Sequence, residues 1–234
     1  RKLKYHDDGY YYLNPMPSKE FLDDCYKNVY ETYTFISKVS WRDIDQNIKR
    51  NLLIERDLDH YKNLLSNYPD FNKSSKKILN FGSGQGGISF LLHQYNHIIY
   101  NLDPGASKKY FEQRWNNIDS LDKIAFKFDL IYASHSIEHV ADIYELMRKF
   151  SEFSDSNTIF FIEVPNCSIP EKQFISFPHT YYFTTDFFKQ SFKKCIFLKT
   201  YTNKIDGSIS EFSNNSGLNG LRFIGQELIK DKFI

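Results

Sequence analysis

The sequence contains few cysteines and no long apolar run. Its three cysteines, Cys25, Cys167 and Cys195, lie far apart and form no CxxC pair. This spacing predicts neither a disulfide framework nor a structural zinc site. No apolar run is long enough to span a membrane, and the first residues lack the apolar core of a signal peptide. We therefore expect a cytoplasmic protein.

The sequence also lacks an excess of charge of either sign. Its 30 basic and 29 acidic side chains give a formal net charge of +1. Such a balance argues against non-specific electrostatic binding to nucleic acid or to an anionic membrane. We expect a small-molecule substrate, and a monomer or homodimer. The length of 234 residues suits one α/β domain with an additional segment.

A glycine-rich turn follows a short apolar segment, residues 77–81, and precedes a predicted helix. Glycines at this point let the backbone turn tightly and approach a ligand closely. Gly82, Gly84 and Gly87 spell GxGxxG, the pattern of dinucleotide-binding folds, whereas Gly82, Gly84 and Gly86 spell GxGxG, which is usual in S-adenosylmethionine enzymes. The glycines therefore predict a nucleotide cofactor and leave its identity open.

A second predicted strand, residues 97–102, ends at an acidic residue, Asp103. An acid about 20 residues after the glycines can accept hydrogen bonds from a ribose diol. Both cofactors contain that ribose, so Asp103 does not choose between them.

Three later segments resemble one known family. Residues 128–140, FDLIYASHSIEHV, resemble the fourth-strand motif of class I S-adenosylmethionine-dependent methyltransferases, and residues 162–166, IEVPN, resemble the end of their fifth strand. Residues 178–184, PHTYYFT, are similar to the PHxxxFT segment of a bacterial small-molecule subgroup within that family. The motifs occur in the family's order, and the resemblance extends from residue 76 to the end of the chain.

The resemblance implies a Rossmann-like, seven-stranded, doubly wound α/β sheet that ends in an antiparallel strand pair. On this interpretation residues 76–234 form the methyltransferase domain, with S-adenosylmethionine as cofactor and S-adenosylhomocysteine as product. Residues 1–75 are expected to form a helical cap over the substrate pocket, because apolar residues recur at helical spacing after Ser18 and again in residues 41–66. The third strand, between residues 103 and 128, has no clear pattern.

The resemblance also implies a set of cofactor-binding residues at the ends of the predicted strands. Asp103 is expected to bind the ribose hydroxyls, and Asp119 the adenine amino group. Asn80 stands where the family usually carries an acid, so we expect weaker cofactor binding, although its amide oxygen still accepts a hydrogen bond. The full predicted set is Asn80, Gly82, Ser83, Gly84, Gly86, Asp103, Pro104, Asp119, Ser134 and His135.

The candidate catalytic residues follow the predicted fourth and fifth strands, where an open α/β sheet faces its ligand crevice. A hydroxyl acceptor must lose a proton, and an imidazole is a suitable base. His139 is the first candidate base, Glu138 is expected to orient a histidine or the substrate, and His179 is the second candidate base. The alternative interpretation is that Glu138 and His139 cap the following helix and that His179 is a packed loop residue.

Residues 135–139, HSIEH, also match the HxxEH motif of a class of zinc peptidases. That motif requires a helix, whereas a predicted strand leads directly into His135. No acidic triad with metal-binding spacing is present, so we expect an enzyme that needs no metal and that keeps its activity after treatment with a chelator.

The expected substrate is a small polar metabolite. The subgroup resemblance favours a hydroxyl of a sugar, a nucleotide-sugar or a phosphorylated intermediate in bacterial surface-glycan (capsule or lipopolysaccharide) or secondary-metabolite biosynthesis. Tyr12, His179, Tyr181 and Tyr182 are the predicted substrate contacts. The alternatives are an NAD-dependent oxidoreductase and a non-catalytic cofactor-binding partner subunit.

Overall fold

The computed structural model describes residues 2–26, 52–84, 86–103, 115–167, 179–203, 209–211 and 219–233. The strands in these ranges are β1 (Lys2–His6), β2 (Tyr10–Asn14), β3 (Lys77–Phe81), β4 (Ile98–Leu102), β5 (Asn116–Ile118), β6 (Leu130–Ser134), β7 (Ile159–Pro165), β8 (Tyr181–Phe183), β9 (Phe192–Asn203), β10 (Ile209–Glu211) and β11 (Asn219–Leu228). The α-helices are α1 (Lys19–Asp24), α2 (Leu52–Asn67), α3 (Gly87–His93), α4 (Ile143–Glu152) and α5 (Thr185–Ser191). Short 3-10 turns span Phe71–Lys73, Ile137–His139 and Lys230–Phe233.

The main sheet has the strand order β10-β9-β11-β7-β6-β3-β4-β5. The five strands from β7 to β5 are parallel, and β11 runs antiparallel to both β7 and β9. This arrangement confirms the predicted fold class, a mostly parallel sheet of seven strands that ends in an antiparallel pair. The short strand β10 is added at one edge. The order reverses between β3 and β6, which places the ligand crevice of such a sheet at the carboxyl ends of these two strands.

The central strands are buried on both faces of the sheet. Every residue of β6 except Ser134 is buried, and the same holds for β7 except Pro165. Near-continuous apolar strands of this kind require helices on both faces. Met147 and Phe150 of α4 pack on one face, and Leu64 of α2 and Leu92 of α3 pack on the other. None of the helices in the described ranges is both long enough and apolar enough to cross a membrane.

The first residues form a hairpin that the sequence did not predict. Strands β1 and β2 pair antiparallel, and β2 pairs with β8 to make a second, three-stranded sheet. The turn between them depends on Gly9, whose φ is +87° and where an added Cβ would lie 2.4 Å from the backbone nitrogen of Phe187. The predicted helix after Ser18 is present as α1, with the Ser18 hydroxyl accepting from the Phe21 amide at 3.2 Å. The rest of the proposed cap, residues 27–51, lies outside the described residues.

Strand β5 supplies the third parallel strand that the sequence left unplaced. It contains only three residues, two of them asparagines, and it pairs with β4 at the edge of the sheet. A polar edge strand has no apolar run by which to recognise it. Its position places Asp119 directly after the carboxyl end of β5.

Asp57 of α2 is a buried carboxyl group next to the start of α3. A Cβ added to Gly87 would lie 1.8 Å from the Asp57 Oδ2 atom, so Gly87 is needed for this close approach. Burial raises the pKa of Asp57 to about 7, and the repulsion of Glu163 adds to this effect whereas Arg56 opposes it. The ionised carboxylate is therefore costly in the folded protein.

We expect Asp57→Asn to change how stability depends on pH. The folded pKa is above the unfolded value, so ionisation of Asp57 destabilises the wild type as the pH rises from about 4 to about 7. The difference in the free energy of unfolding, variant minus wild type, should therefore be about 2 to 4 kcal/mol larger at pH 8 than at pH 4. Urea denaturation across this range measures the difference. Asp122→Asn, at an exposed position, is measured in parallel as the control for the change of side chain. A difference between Asp57→Asn and the wild type that stays the same from pH 4 to pH 8 would contradict the account.

Candidate active site

The glycine turn after β3 packs tightly against the turn after β6. Gly82 has a φ of +67°, and a Cβ at this position would lie 2.2 Å from the Ser136 Cβ atom. The Gly82 amide donates to the Leu102 carbonyl at 2.7 Å, and the Ser136 hydroxyl donates to the Phe81 carbonyl at 3.0 Å. The ends of β3, β4 and β6 are therefore joined by direct contacts, and only glycine fits at the centre.

Gly84 borders open space and approaches the end of β4. Its φ is +49°, and no heavy atom of the described residues lies within 4 Å of an added Cβ. Its amide donates to the Asp103 Oδ2 atom at 2.6 Å. The neighbouring Ser83 hydroxyl is buried and has no hydrogen-bond partner in the part of the chain that the structure describes. An open cradle with an unsatisfied hydroxyl suits a polar ligand.

The other predicted cofactor residues lie along the same edge of the sheet. Asp119 is exposed after β5, and Ser134 is half-buried at the end of β6. Gly86, with a φ of +74°, precedes α3. Pro104 lies outside the described residues. The predicted cofactor-binding residues that the structure describes thus lie near the ends of four adjacent parallel strands, β5, β4, β3 and β6, where an open α/β sheet has its ligand crevice.

Asn80, near the end of β3 and just before the glycine turn, begins a chain of buried hydrogen bonds. Its amide donates to the Ser89 hydroxyl at 2.7 Å, and that hydroxyl donates to the Asn101 amide oxygen at 2.7 Å. All three side chains are buried. The sequence suggested a loop-ordering bond in which Asn80 accepts, whereas in the structure its amide donates to α3. Asn80 therefore ties β3 to α3 and β4.

His135 lies between two buried carboxylates. Its backbone has a φ of +50°, which is uncommon for a residue other than glycine. Its Nδ1 atom is 3.5 Å from Glu138 Oε1, and its Nε2 atom is 3.5 Å from Glu163 Oε1. Burial lowers the pKa of His135, but hydrogen bonding and the charges of the two carboxylates outweigh it and raise the pKa to about 9. His135 is therefore a cation at neutral pH and a poor proton acceptor.

Glu138, His139 and His179 converge on one point beyond the end of β6. Their donor atoms all lie within 4.8 Å of one another, and the two imidazole centroids are 4.6 Å apart. Thr180 holds the two segments together, because its amide donates to the Glu138 carbonyl at 2.8 Å and its hydroxyl donates to the carbonyls of Glu138 at 2.9 Å and Val140 at 2.7 Å. The structure thus brings together all three predicted catalytic residues.

The ionisation states of these groups follow from burial and from their neighbours. Burial favours the neutral acid of Glu138, but His135 and His139 outweigh it and hold its pKa below the usual value. Burial lowers the pKa of His179 to about 4, and the charge of His139 contributes in the same direction. The site therefore combines a carboxylate with a neutral imidazole at His179.

The alternative capping role for Glu138 and His139 is wrong. Helix α4 begins at Ile143, and its N-cap is Asp142, whose carboxylate accepts from the Glu145 amide at 3.1 Å. Ile137–His139 form a 3-10 turn instead of the α-helix that the zinc-peptidase motif requires. The side chain of Glu138 is instead fully buried beside the two histidines.

The predicted tyrosine contacts have different environments. Tyr181 is buried, and its hydroxyl accepts from the Ile143 amide and donates to the Ala141 carbonyl, so it stabilises the start of α4. Tyr182 is also buried, with its ring centroid 5.9 Å from that of His179. Tyr12 is half-buried on β2.

A buried ionic network behind the site was missing from the sequence analysis. Arg222 of β11 is fully buried, and its Nε atom donates to Glu163 Oε2 at 2.7 Å. His60 lies 3.0 Å from the same oxygen, and its Nδ1 atom is 2.6 Å from the Tyr132 hydroxyl. Glu163 connects this network to His135. Its place in the IEVPN segment was the one available signal, since nothing in the sequence marked Arg222 or His60.

The chain is similar to known methyltransferases. A family model described as a methyltransferase domain matches residues 51–195, which is more than half of the chain. The chain therefore belongs to this methyltransferase family. Enzymes of this class take the methyl group from S-adenosylmethionine, which is thus the cofactor, and the NAD alternative is set aside. No curated protein sequence matches the chain.

Solved structures share the fold at low sequence identity. A methyltransferase dependent on S-adenosylmethionine from Archaeoglobus fulgidus has a TM-score of 0.55 at 15% identity, with 80% of this chain and 99% of that chain covered. The magnesium protoporphyrin IX methyltransferase of Synechocystis PCC 6803, with bound S-adenosylhomocysteine, has a TM-score of 0.58 at 11% identity, with 90% and 100% covered. The plantazolicin methyltransferase BpumL has a TM-score of 0.51 at 16% identity, with 89% of this chain and 95% of that chain covered. These likenesses show the class I fold.

We expect Asp103→Ala to weaken binding of S-adenosylhomocysteine by about 10- to 100-fold. The substitution removes the acceptor of the 2.6 Å bond from Gly84 and the carboxylate that we expect to bind the ribose hydroxyls. Isothermal titration of the variant measures the change. Asp122→Ala, at an exposed loop position, is the matched control and should bind like the wild type. Equal affinities for Asp103→Ala and the wild type would show that the ribose lies elsewhere.

Proposed function

We propose that the protein transfers a methyl group from S-adenosylmethionine to a hydroxyl of a small polar metabolite. The observation that carries this proposal is the convergence of Glu138, His139 and His179 at the crevice edge of the sheet. A hydroxyl oxygen attacks a methyl group effectively only when its proton is removed. A buried carboxylate with two adjacent imidazoles is suited to that task.

The reaction is an in-line displacement at the methyl carbon. The bond from the acceptor oxygen to the methyl carbon forms as the carbon–sulfur bond breaks, and the electron pair of that bond stays on sulfur to give S-adenosylhomocysteine. The hydroxyl proton passes to an imidazole nitrogen, with His139 as the first candidate base and His179 as the second. The protein contributes chiefly by alignment, because the cofactor carries the activated methyl group.

The proposed acceptor is a sugar, a nucleotide-sugar or a phosphorylated intermediate of bacterial surface-glycan or secondary-metabolite biosynthesis. The support for this class is the resemblance of IEVPN and PHTYYFT to the bacterial small-molecule subgroup. Tyr12 of the hairpin is half-buried and supplies aromatic surface, which suits the apolar face of a sugar. Tyr182 is buried and packs beside the His179 ring instead. Tyr181 is left out of the proposed contacts because its hydroxyl is bound within the fold.

The proposal places the reaction in the cytoplasm and requires no nucleic acid or membrane. The sequence has three cysteines and no CxxC pair, a usage that is compatible with a reducing compartment. The nearly balanced charge agrees with a small-molecule substrate. A monomer or a homodimer satisfies the proposal equally, since all the residues that it uses belong to one chain.

An acceptor screen tests the proposal. The purified protein is incubated with S-adenosylmethionine labelled with ¹³C in its methyl group and with a panel of nucleotide-sugars, sugar phosphates and the matching amino sugars. Mass spectrometry detects the added methyl group, and ¹³C NMR separates an O-methyl from an N-methyl product. We expect an O-methyl product from a hydroxyl acceptor. Methylation of the amino sugars alone, or no product from a protein that binds S-adenosylhomocysteine, would overturn the proposal.

A further inference from the structure

One buried carboxylate of the site has an oxygen atom with no hydrogen-bond donor among the described residues. Glu138 is fully buried, yet its Oε2 atom accepts no hydrogen bond from the residues within the described ranges. Within the same ranges, its Oε1 atom has two long contacts, 3.5 Å to His135 Nδ1 and 3.7 Å to His139 Nε2. A buried carboxylate is costly unless it is paired or coordinates a metal. The unsatisfied oxygen therefore points to a ligand.

We infer that Glu138, His139 and His179 bind a divalent transition-metal cation, with Zn²⁺ as the first choice. Each residue offers one ligand atom, and these atoms lie within 4.8 Å of one another. Two imidazoles and one carboxylate form a ligand set that catalytic zinc sites use, with a further position left open. The HxxEH match had suggested His135 and His139 as a helical pair, whereas the structure brings in His179 from a distant segment.

The backbone holds the three ligands nearly in place. Donors about 2.1 Å from a tetrahedral zinc lie roughly 3.4 Å apart, so closure of the present cluster requires movements of about an ångström. Rotation of the side chains can supply movements of this size. The two imidazole rings now meet edge to face at 70°. The hydrogen bonds from Thr180 to the Glu138 and Val140 carbonyls hold the two backbone segments together.

The choice of metal follows from the donors and from the surrounding charge. Imidazole nitrogens favour zinc and other transition metals over Mg²⁺ and Ca²⁺, which prefer oxygen ligands. Glu138 supplies the one carboxylate oxygen of the set, beside the two imidazole nitrogens. His135 lies on the other side of Glu138, 3.5 Å away, and is not one of the three ligands. The sequence led us to expect no metal because it has no acidic triad. A site with two histidine ligands and one carboxylate does not need such a triad, so this inference replaces that expectation.

The cation also gives the acceptor a binding position, and this part of the inference rests on the proposed function. A zinc ion with three protein ligands has an open position for an oxygen ligand, and it lowers the pKa of that oxygen. With the cation bound, His139 and His179 serve as its ligands, and the cation replaces the imidazole base of the metal-free reaction given under Proposed function in activating the hydroxyl. The hydroxyl proton then passes to water.

Metal titration of the full chain tests the site directly. Protein freed of metal is titrated with Zn²⁺ by calorimetry, and with Co²⁺ while its visible absorption is recorded. We expect one cation per chain, absorption bands typical of Co²⁺ with nitrogen ligands, and little binding of Mg²⁺. His179→Asn and Glu138→Gln should each weaken Zn²⁺ binding at least tenfold, whereas His93→Asn, at an exposed position at the end of α3, should not. Absence of Zn²⁺ binding to the wild type, or binding that only the control variant reduces, would overturn the inference.

Activity measurements separate this inference from the proposed function. If both are right, removal of metal should lower turnover of a hydroxyl acceptor at least tenfold, and Zn²⁺ should restore it. O-methyl transfer that persists at full rate without metal would overturn the metal site and leave the proposed function intact. One bound Zn²⁺ with no methyl transfer to any hydroxyl would support the metal site and overturn the proposed function.

Discussion

Replacement of His139 or of His179 by Asn should lower kcat about 100- to 10,000-fold and leave the affinity for S-adenosylhomocysteine within a factor of three. The two imidazoles meet at the crevice edge, whereas the glycine turn and Asp103 that we expect to hold the cofactor belong to β3 and β4. Asparagine keeps much of the volume of histidine, so the packing with Tyr26 and Tyr182 changes little. Steady-state kinetics with the acceptor from the screen, together with calorimetry, provide the two measurements.

His93→Asn is the matched control for both substitutions, because His93 is an exposed histidine at the end of α3. It should keep the wild-type kcat and affinity. If His139→Asn and His179→Asn both keep their kcat, neither imidazole takes part in catalysis as a base or as a metal ligand. If kcat and cofactor affinity fall in parallel, the two histidines belong to the cofactor pocket and our assignment of the cluster is wrong.

Arg222→Met should destabilise the protein by about 3 to 5 kcal/mol. Arg222 is fully buried and directly opposite Glu163 across the β7–β11 pair. Its Nε atom donates to Glu163 Oε2 at 2.7 Å, and its Nη1 atom donates to Asp59 Oδ2 at 2.5 Å. The substitution leaves Glu163 buried with His135 as its remaining charged neighbour among the described residues, because burial lowers the pKa of the adjacent His60 to about 4. Urea denaturation measures the loss.

Two comparisons show whether the unpaired charge is the cause. Addition of Glu163→Gln to Arg222→Met should recover part of the lost stability, because the carboxylate left without its main partner is removed. Lys199→Met is the control on β9, directly opposite Arg222, where the side chain is exposed. It should change stability by about 0.5 kcal/mol or less. If Arg222→Met and Lys199→Met lose the same amount of stability, the buried pair of Arg222 and Glu163 contributes little.

The central strands could be predicted because their sequence pattern is local. The predicted strands at 77–81 and 97–102 correspond to β3 and β4. The fourth-strand motif at 128–140 contains β6, and the IEVPN segment at 162–166 lies at the end of β7. Two helix starts were also encoded locally. The hydroxyls of Ser18 and Thr184 accept from backbone amides as N-caps.

The elements that the sequence did not reveal depend on distant partners. Strand β2 carries three consecutive tyrosines, which show no alternation, and its pairing with β8 joins residues about 170 positions apart in the chain. Strand β5 is short and polar, and it exists because β4 offers it a free edge. Pairing of this kind is a tertiary effect, and a local pattern cannot show it.

The candidate site shows the same division. The strand-end residues Asp103, Glu138 and His139 could be predicted, because the carboxyl ends of parallel strands meet at one edge of the sheet. The contact of His139 with His179 could not, because it depends on the bonds from Thr180 to carbonyls about 40 residues earlier. The pairing of Arg222 with Glu163, 59 residues apart, likewise depends on the strand order.

The most direct test of the account is calorimetric titration of the purified protein with S-adenosylhomocysteine, S-adenosylmethionine and NAD in parallel. The open cradle at Gly84 and the carboxylate of Asp103 should hold the first two ligands with micromolar affinity. NAD should show no binding. Binding of NAD alone would contradict the assignment of the site while leaving the α/β fold unchanged.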